Sequence, residues 1–143
     1  MKILVSACLL GCPCRYDGKS KPNDQVLALM AHHTLIPVCP EQMGGLATPR
    51  PPAECQKGGV FTEAGTDVTV QYKRGAEEAL RLAKLYGCAC AILKERSPSC
   101  GSGEIYDGSF SRNLIAGDGV TAALLKANGI AVVGESEVGT LWK

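Results

Sequence analysis

The chain has 143 residues, 15 basic and 14 acidic side chains, a net charge of +1 and eight cysteines. A chain of this length suits one domain over residues 1–143 and buries roughly two thirds of its unfolded surface without needing staples. Lys and Arg are scattered, with Lys73-Arg74 the longest run, which disfavours a nucleic-acid polymer as partner; no apolar stretch approaches the ~20 residues of a membrane span.

Residues 3–8 form a short apolar run that reads as a buried first strand. It is too short for a signal peptide, and Gly11-Cys12-Pro13-Cys14-Arg15 follows at once, so the sequence places the protein in the cytoplasm. Residues 9–23 carry the Gly, Pro, Lys and Ser of a loop. Asn23 is placed to cap a helix running to about His32, with Val26, Leu29 and Met30 on one face. Residues 35–38 read as a second strand. Residues 39–69 read as a long irregular segment with Gly44-Gly45, Pro49-Arg50-Pro51-Pro52 and Gly58-Gly59, of a length usual in functional loops, and residues 68–70 as a short extended piece.

Residues 72–86 carry Ala76, Ala79, Leu80 and Ala83 at helical spacing, with Gly87 in the usual terminating position. Residues 88–93 read as a third strand, 94–107 as a Ser- and Gly-rich loop, and 117–128 as a helix with Val120, Ala123 and Leu124 inward, ended by Gly129. A fourth strand over 130–133 and a terminal helix over 135–141 complete the chain. Strands alternating with helices predict an α/β fold, Rossmann-like, with a parallel sheet of about four strands and helices on both faces. The loops after the first three strands then meet at one sheet edge, where open α/β sheets bind ligands.

Cys8 ends the first strand, Cys39 ends the second and Cys100 lies in the loop after the third, so the three are expected to converge; Cys14 lies near Cys8 and is a further candidate. In a reducing compartment a cysteine-rich chain points to metal or redox chemistry rather than disulfides. Thiolates without a nearby histidine suit zinc, Cu(I) or iron–sulfur. His32 and His33 read as a solvent-facing or core-edge pair, Cys88 and Cys90 as core residues on one strand face, and Cys12 and Cys55 as incidental. A zinc ribbon would show paired C-x-x-C knuckles, and the chain has none. A [4Fe–4S] cluster held by three thiolates leaves one iron open, a thiophilic Lewis acid suited to a sulfur-bearing substrate. Glu41, two residues after Cys39, and Ser97, three before Cys100, are groups able to move protons beside it; the plainer readings are a helix-capping carboxylate and a Ser-Pro turn. Arg15, Asp17, Arg50 and Glu54 are candidates for supporting ion pairs.

Three blocks carry a resemblance. They are Val5-Ser6-Ala7-Cys8-Leu9-Leu10-Gly11 with Cys14-Arg15-Tyr16-Asp17-Gly18; Cys39-Pro40-Glu41-Gln42-Met43-Gly44-Gly45-Leu46 with Thr48-Pro49-Arg50-Pro51-Pro52-Ala53-Glu54; and Leu93-Lys94 with Ser97-Pro98-Ser99-Cys100-Gly101. Together they resemble the bacterial thiouracil desulfurases over nearly the whole chain. The resemblance implies a [4Fe–4S] cluster on Cys8, Cys39 and Cys100, with Cys14 an alternative ligand in the same block as Cys8. It implies Glu41 and Ser97 as the proton-handling pair, and conversion of a thiolated pyrimidine base to its oxo form with release of sulfide and no net electron transfer. Cys12 and Cys55 depart from the family pattern. Two other classes share the cysteines: a structural zinc or iron–sulfur module, which has no need of Glu41 and Ser97, and a thiol redox protein, which would use Cys12/Cys14 or Cys88/Cys90 but lacks the C-x-x-C spacing.

Overall fold

The computed structural model describes residues 1–142. From the amino terminus the chain forms β1 (Lys2–Ser6), a 3-10 turn (Ala7–Leu10), α1 (Asp24–Ala28), a second 3-10 turn (Leu29–Ala31), β2 (Thr34–Val38) and α2 (Pro40–Met43). A hairpin follows, β3 (Ala53–Gln56) with β4 (Gly59–Thr62), then α3 (Thr69–Tyr86) and β5 (Cys90–Leu93). A second hairpin, β6 (Glu104–Tyr106) with β7 (Leu114–Ala116), leads to α4 (Val120–Ala127), β8 (Ala131–Gly134) and a 3-10 segment, Glu135–Trp142.

The main sheet has the order β2-β1-β5-β8 with every pairing parallel, as the alternation of strands and helices predicts. Neighbouring strand residues face opposite ways, and β1 feeds two cores. Ile3 and Val5 pack with Val26 of α1, Ile92 and Val138 on one face; Leu4 packs with Ala79 and Ala83 of α3, Leu93, and Ala122 and Leu125 of α4 on the other. With both faces covered, β5 is buried at every residue, which is why its sequence runs apolar without alternation. The carboxyl ends of all four strands therefore open onto one edge.

Local signals are met where they carry their own chemistry. Asn23 Oδ1 accepts the amide of Val26 at 3.1 Å and starts α1. Gly87, at φ 66°, closes α3 with its N–H on the Ala83 and Lys84 carbonyls.

Several expectations are corrected. Cys8 lies in the 3-10 turn after β1, not on the strand, and Met30 faces solvent because α1 stops at Ala28. The segment 39–69 is not irregular: it holds α2 and the β3–β4 hairpin, and Thr69 begins a helix. The predicted loop 94–107 ends in β6, half of the second hairpin. α4 turns Thr121, Ala122 and Leu125 inward rather than Val120, Ala123 and Leu124, since a helix apolar nearly all round takes its buried face from its neighbours. Likewise β5 begins at Cys90, so the two-residue period does not reach Cys88, and the two thiols pack into opposite cores.

Candidate active site

Each cysteine of the edge is placed by the local structure of its own segment. After β1, the 3-10 turn closes on Gly11, whose amide bonds to the Cys8 carbonyl, and Lys21 bonds the same carbonyl at 2.9 Å, folding the loop back over Cys8. Cys12 bonds the Ala7 carbonyl and is exposed; Cys14 bonds the Cys12 carbonyl and is buried. Cys39 is the N-cap of α2, in extended conformation, with Pro40 beginning the helix. Cys100 lies in the loop after β5, held by Ser97: its Oγ accepts the amides of Ser99 at 3.1 Å and Cys100 at 3.0 Å. The first amides of α4 satisfy themselves on this loop, Val120 on the Pro98 carbonyl and Thr121 on that of Ser99.

The thiols adjoin one another along the edge. Cys14 makes side-chain contact with both Cys39 and Cys8, the Cys39 Sγ also lies 3.7 Å from the Cys14 carbonyl oxygen, and Cys39 is near enough to Cys100 to raise it electrostatically. The contact with Cys39 by itself favours the Cys14 thiolate, but contact with Cys8 and burial outweigh it and push the Cys14 pKa up to about 11. The hydrogen bond with Cys14 and burial raise Cys39 well above an ordinary thiol. Burial pushes Cys100 up to about 12, against the hydroxyls of Ser6 and Ser99 that hydrogen-bond its sulfur. All eight cysteines are free.

The donor set is soft, thiol-only and strung from Cys8 through Cys14 and Cys39 to Cys100. Among the described residues no three His, Cys, Asp or Glu side chains gather around a single-ion point. Thiolates spread along an edge fit a polynuclear iron–sulfur cluster, whose irons take one thiolate each, better than one zinc ion.

Glu41, on the first turn of α2, carries the charge of the site. Its Oε1 accepts the phenolic hydroxyl of Tyr72 at 2.8 Å and Nε–H of Arg50 at 3.0 Å. Glu41 also acts electrostatically on both Cys39 and Cys100, raising them. It is therefore no helix cap, since α2 has no side-chain cap. Arg50 comes from the loop before β3 and is nearly buried, its Nη2 donating to the Cys14 carbonyl at 3.0 Å.

A family model for 2-thiouracil desulfurases matches residues 3–137. The chain belongs to the 2-thiouracil desulfurase family. Among curated proteins it is similar to YbbK of Bacillus subtilis (strain 168), 44% identical over 146 residues that cover 95% of this chain and 97% of that one. Among solved structures it is similar to the [4Fe-4S]-dependent thiouracil desulfidase TudS, with a TM-score of 0.93 and 53% identity over 98% of this chain and 94% of that one. Family membership and this likeness agree with the α/β architecture described above.

Within this family fold, Cys8, Cys39, Cys100, Glu41 and Ser97 all stand at the same sheet edge, and Cys14 joins them between Cys8 and Cys39. Arg15 and Asp17 pair with each other at 3.8 Å. Among the described residues Glu54 pairs with no cation; its Oε1 accepts the amides of Gly108 and Phe110 and fastens the second hairpin. Cys55 lies apart on β3, its Sγ 3.6 Å from the Pro98 carbonyl. Two site residues escaped the sequence reading. Ser6 is signalled by a polar residue ending an apolar strand; its Oγ accepts the Lys94 amide at 2.9 Å, and Cys100 is its other partner. Tyr72 carries no such signal, because an aromatic residue on the first turn of an amphipathic helix reads as core.

Proposed function

We propose that this protein is an enzyme that desulfurates a thiolated pyrimidine base of the 2-thiouracil kind, and that it works with a [4Fe–4S] cluster held by Cys8, Cys39 and Cys100. The overall change replaces a thiocarbonyl by a carbonyl at the cost of one water and releases hydrogen sulfide, so no electrons are gained or lost. The observation that carries the reading is the meeting of a thiol-only edge with one polarised carboxylate, Glu41, inside the family's fold.

When bound, the cluster supplies an open, thiophilic Lewis-acid iron. The chain's own residues do the rest. Glu41, held by Arg50 through one oxygen, takes a proton from the attacking water through the other. Ser97 accepts two amides at Oγ, which leaves its hydroxyl hydrogen available to pass a proton toward the substrate or the departing sulfur. The Ser6 hydroxyl stabilises charge on the Cys100 sulfur.

The substrate is a small molecule rather than a nucleic-acid polymer, in keeping with the scattered basic residues. Among the described residues no helix is long and apolar enough to cross a membrane; eight unbridged thiols suit the cytoplasm. The deciding experiment is anaerobic reconstitution followed by a sulfide-release assay on 2-thiouracil, its nucleoside and its nucleotide. Brown protein that releases sulfide and the oxo base is the expected result. Colourless protein, or brown protein inert on the whole panel, returns the chain to a structural or thiol-redox role.

A further inference from the structure

The hydrogen bonds on Glu41 are lopsided. Tyr72 and Arg50 both donate to Oε1, at 2.8 and 3.0 Å, where an arginine facing a carboxylate usually engages both oxygens in a fork. Among the described residues nothing donates to Oε2. No buried side-chain oxygen of the described residues lacks a partner, so Oε2 reaches solvent. One carboxylate oxygen is thus clamped and the other is left open to water.

Arg50 does more than hold this carboxylate. Its side chain is 6% exposed, and every nitrogen is engaged: Nε on Glu41, Nη1 on the Ala47 carbonyl and Thr48 Oγ1, Nη2 on the Cys14 carbonyl. Its backbone amide bonds the Tyr16 carbonyl at 2.8 Å. A rigid planar fork so placed fixes the distance between the carboxylate and the loop that carries Cys14. Tyr72, 2% exposed on the first turn of α3, supplies the second anchor, and its phenol is held protonated by burial and by the Glu41 charge.

We propose that Arg50 and Tyr72 are the positioning residues of the reaction: by occupying Glu41 Oε1 they leave Oε2, open to water, as the oxygen that takes the proton. The inference rests on the reading of Glu41 as the base. Neither residue touches the reacting atoms, so both act wholly through Glu41. Removing either frees the carboxylate to rotate and lowers kcat, while KM for the base stays unchanged.

The test is a mutant cycle on the reconstituted enzyme with Tyr72→Phe, Glu41→Gln and the double variant, and the same cycle with Arg50→Lys. Tyr72→Phe is expected to keep its iron content and its KM for 2-thiouracil and to lose kcat by roughly 10-fold, the scale of one hydrogen bond to a charged group. In the Glu41→Gln background the same change is expected to do nothing, because the oxygen it positions no longer accepts the proton. In metal-free protein Tyr72→Phe is expected to lower the melting temperature less beside Glu41→Gln than alone, because an amide oxygen accepts the phenol more weakly than a carboxylate does, a readout independent of turnover. A Tyr72→Phe loss that persists in full beside Glu41→Gln, or no loss in Tyr72→Phe at all, overturns the proposal while leaving Glu41 as base. Near wild-type turnover in Glu41→Gln alone overturns the reading beneath it. Arg50→Lys that loses its iron assigns Arg50 to holding the Cys14 loop and removes it from the proposal, with Tyr72→Phe deciding the remainder.

Discussion

Gly75 of α3 lies so close against Pro40 of α2 that a Cβ placed on it would stand 1.8 Å from the Pro40 carbonyl oxygen. The contact is reciprocal: a Cβ on Gly44, at the end of α2, would stand 1.9 Å from the Gln71 carbonyl. The short helix that carries Glu41 is thereby seated, backbone on backbone, on the helix that carries Tyr72. Gly75→Ala cannot be absorbed by a side-chain shift, since the obstacle, Pro40, meets it with main-chain atoms. A loss of about 1–3 kcal/mol or more is expected, the usual scale of overpacking, read as a lowered melting temperature together with reduced turnover. A variant that melts with the wild type would show the two helices to be separable.

Substitution of the edge thiols should be all or none. Cys8→Ser, Cys39→Ser and Cys100→Ser are each expected to give protein without the brown colour and without sulfide release, measured by iron content and absorbance after anaerobic reconstitution. Cys90 begins β5 beside Ile3, at the amino end of the sheet, and Cys90→Ser is expected to keep its colour at a cost of about 1–3 kcal/mol for burying a hydroxyl. A folded, colourless Cys90→Ser protein would move the ligand assignment.

Glu41→Gln keeps the shape of the side chain and its hydrogen bond from Tyr72 but cannot take a proton. Turnover is expected to fall by roughly 10²–10⁴-fold, the usual worth of a positioned general base, with iron content and the spectral response to added 2-thiouracil retained. Loss of colour instead would make Glu41 a support of the cysteine edge.

Ser97→Ala removes both a proton path and the acceptor that closes the Cys100 turn. Water replaces the first in part and nothing replaces the second. The expected result is a smaller loss of kcat than in Glu41→Gln, joined to a stability loss of about 0.5–2 kcal/mol, the scale of a removed side-chain cap. Wild-type stability would mean that the turn holds without its hydroxyl.

Tyr72 gives a pH signature. Burial, the charge of Glu41 and the hydrogen bond to it raise the phenol above its ordinary value of about 10. A raised folded-state pKa means that its contribution to stability is complete below pH ~10 and is lost as pH climbs from there toward the folded value. In an alkaline titration followed by phenolate absorbance, one of the four tyrosines is therefore expected to ionise only as the fold opens. Tyr72→Phe should remove that late step and make the melting temperature less sensitive above pH ~10. Four tyrosines ionising together before any unfolding would contradict the buried phenol.

The sequence by itself determined the parallel sheet and the placement of Cys8, Cys39 and Cys100 along one edge of it. Those features follow from local signals: apolar runs bounded by Gly and Pro, a helical repeat ended by Gly87, and cysteines at fixed offsets from them. The two hairpins escaped because their strands of three or four residues are too short to show a period. The face of α4 escaped because an almost wholly apolar helix has no polar side to read. The meeting of Arg50, Glu41 and Tyr72, and the insertion of Cys14 between Cys8 and Cys39, belong to tertiary structure alone. They depend on where α2 seats against α3 and on how the loop after β1 folds back to Lys21, and those positions are set by close backbone approach at Gly44 and Gly75 and by hydrogen bonds between distant residues, which leave no periodicity in the chain.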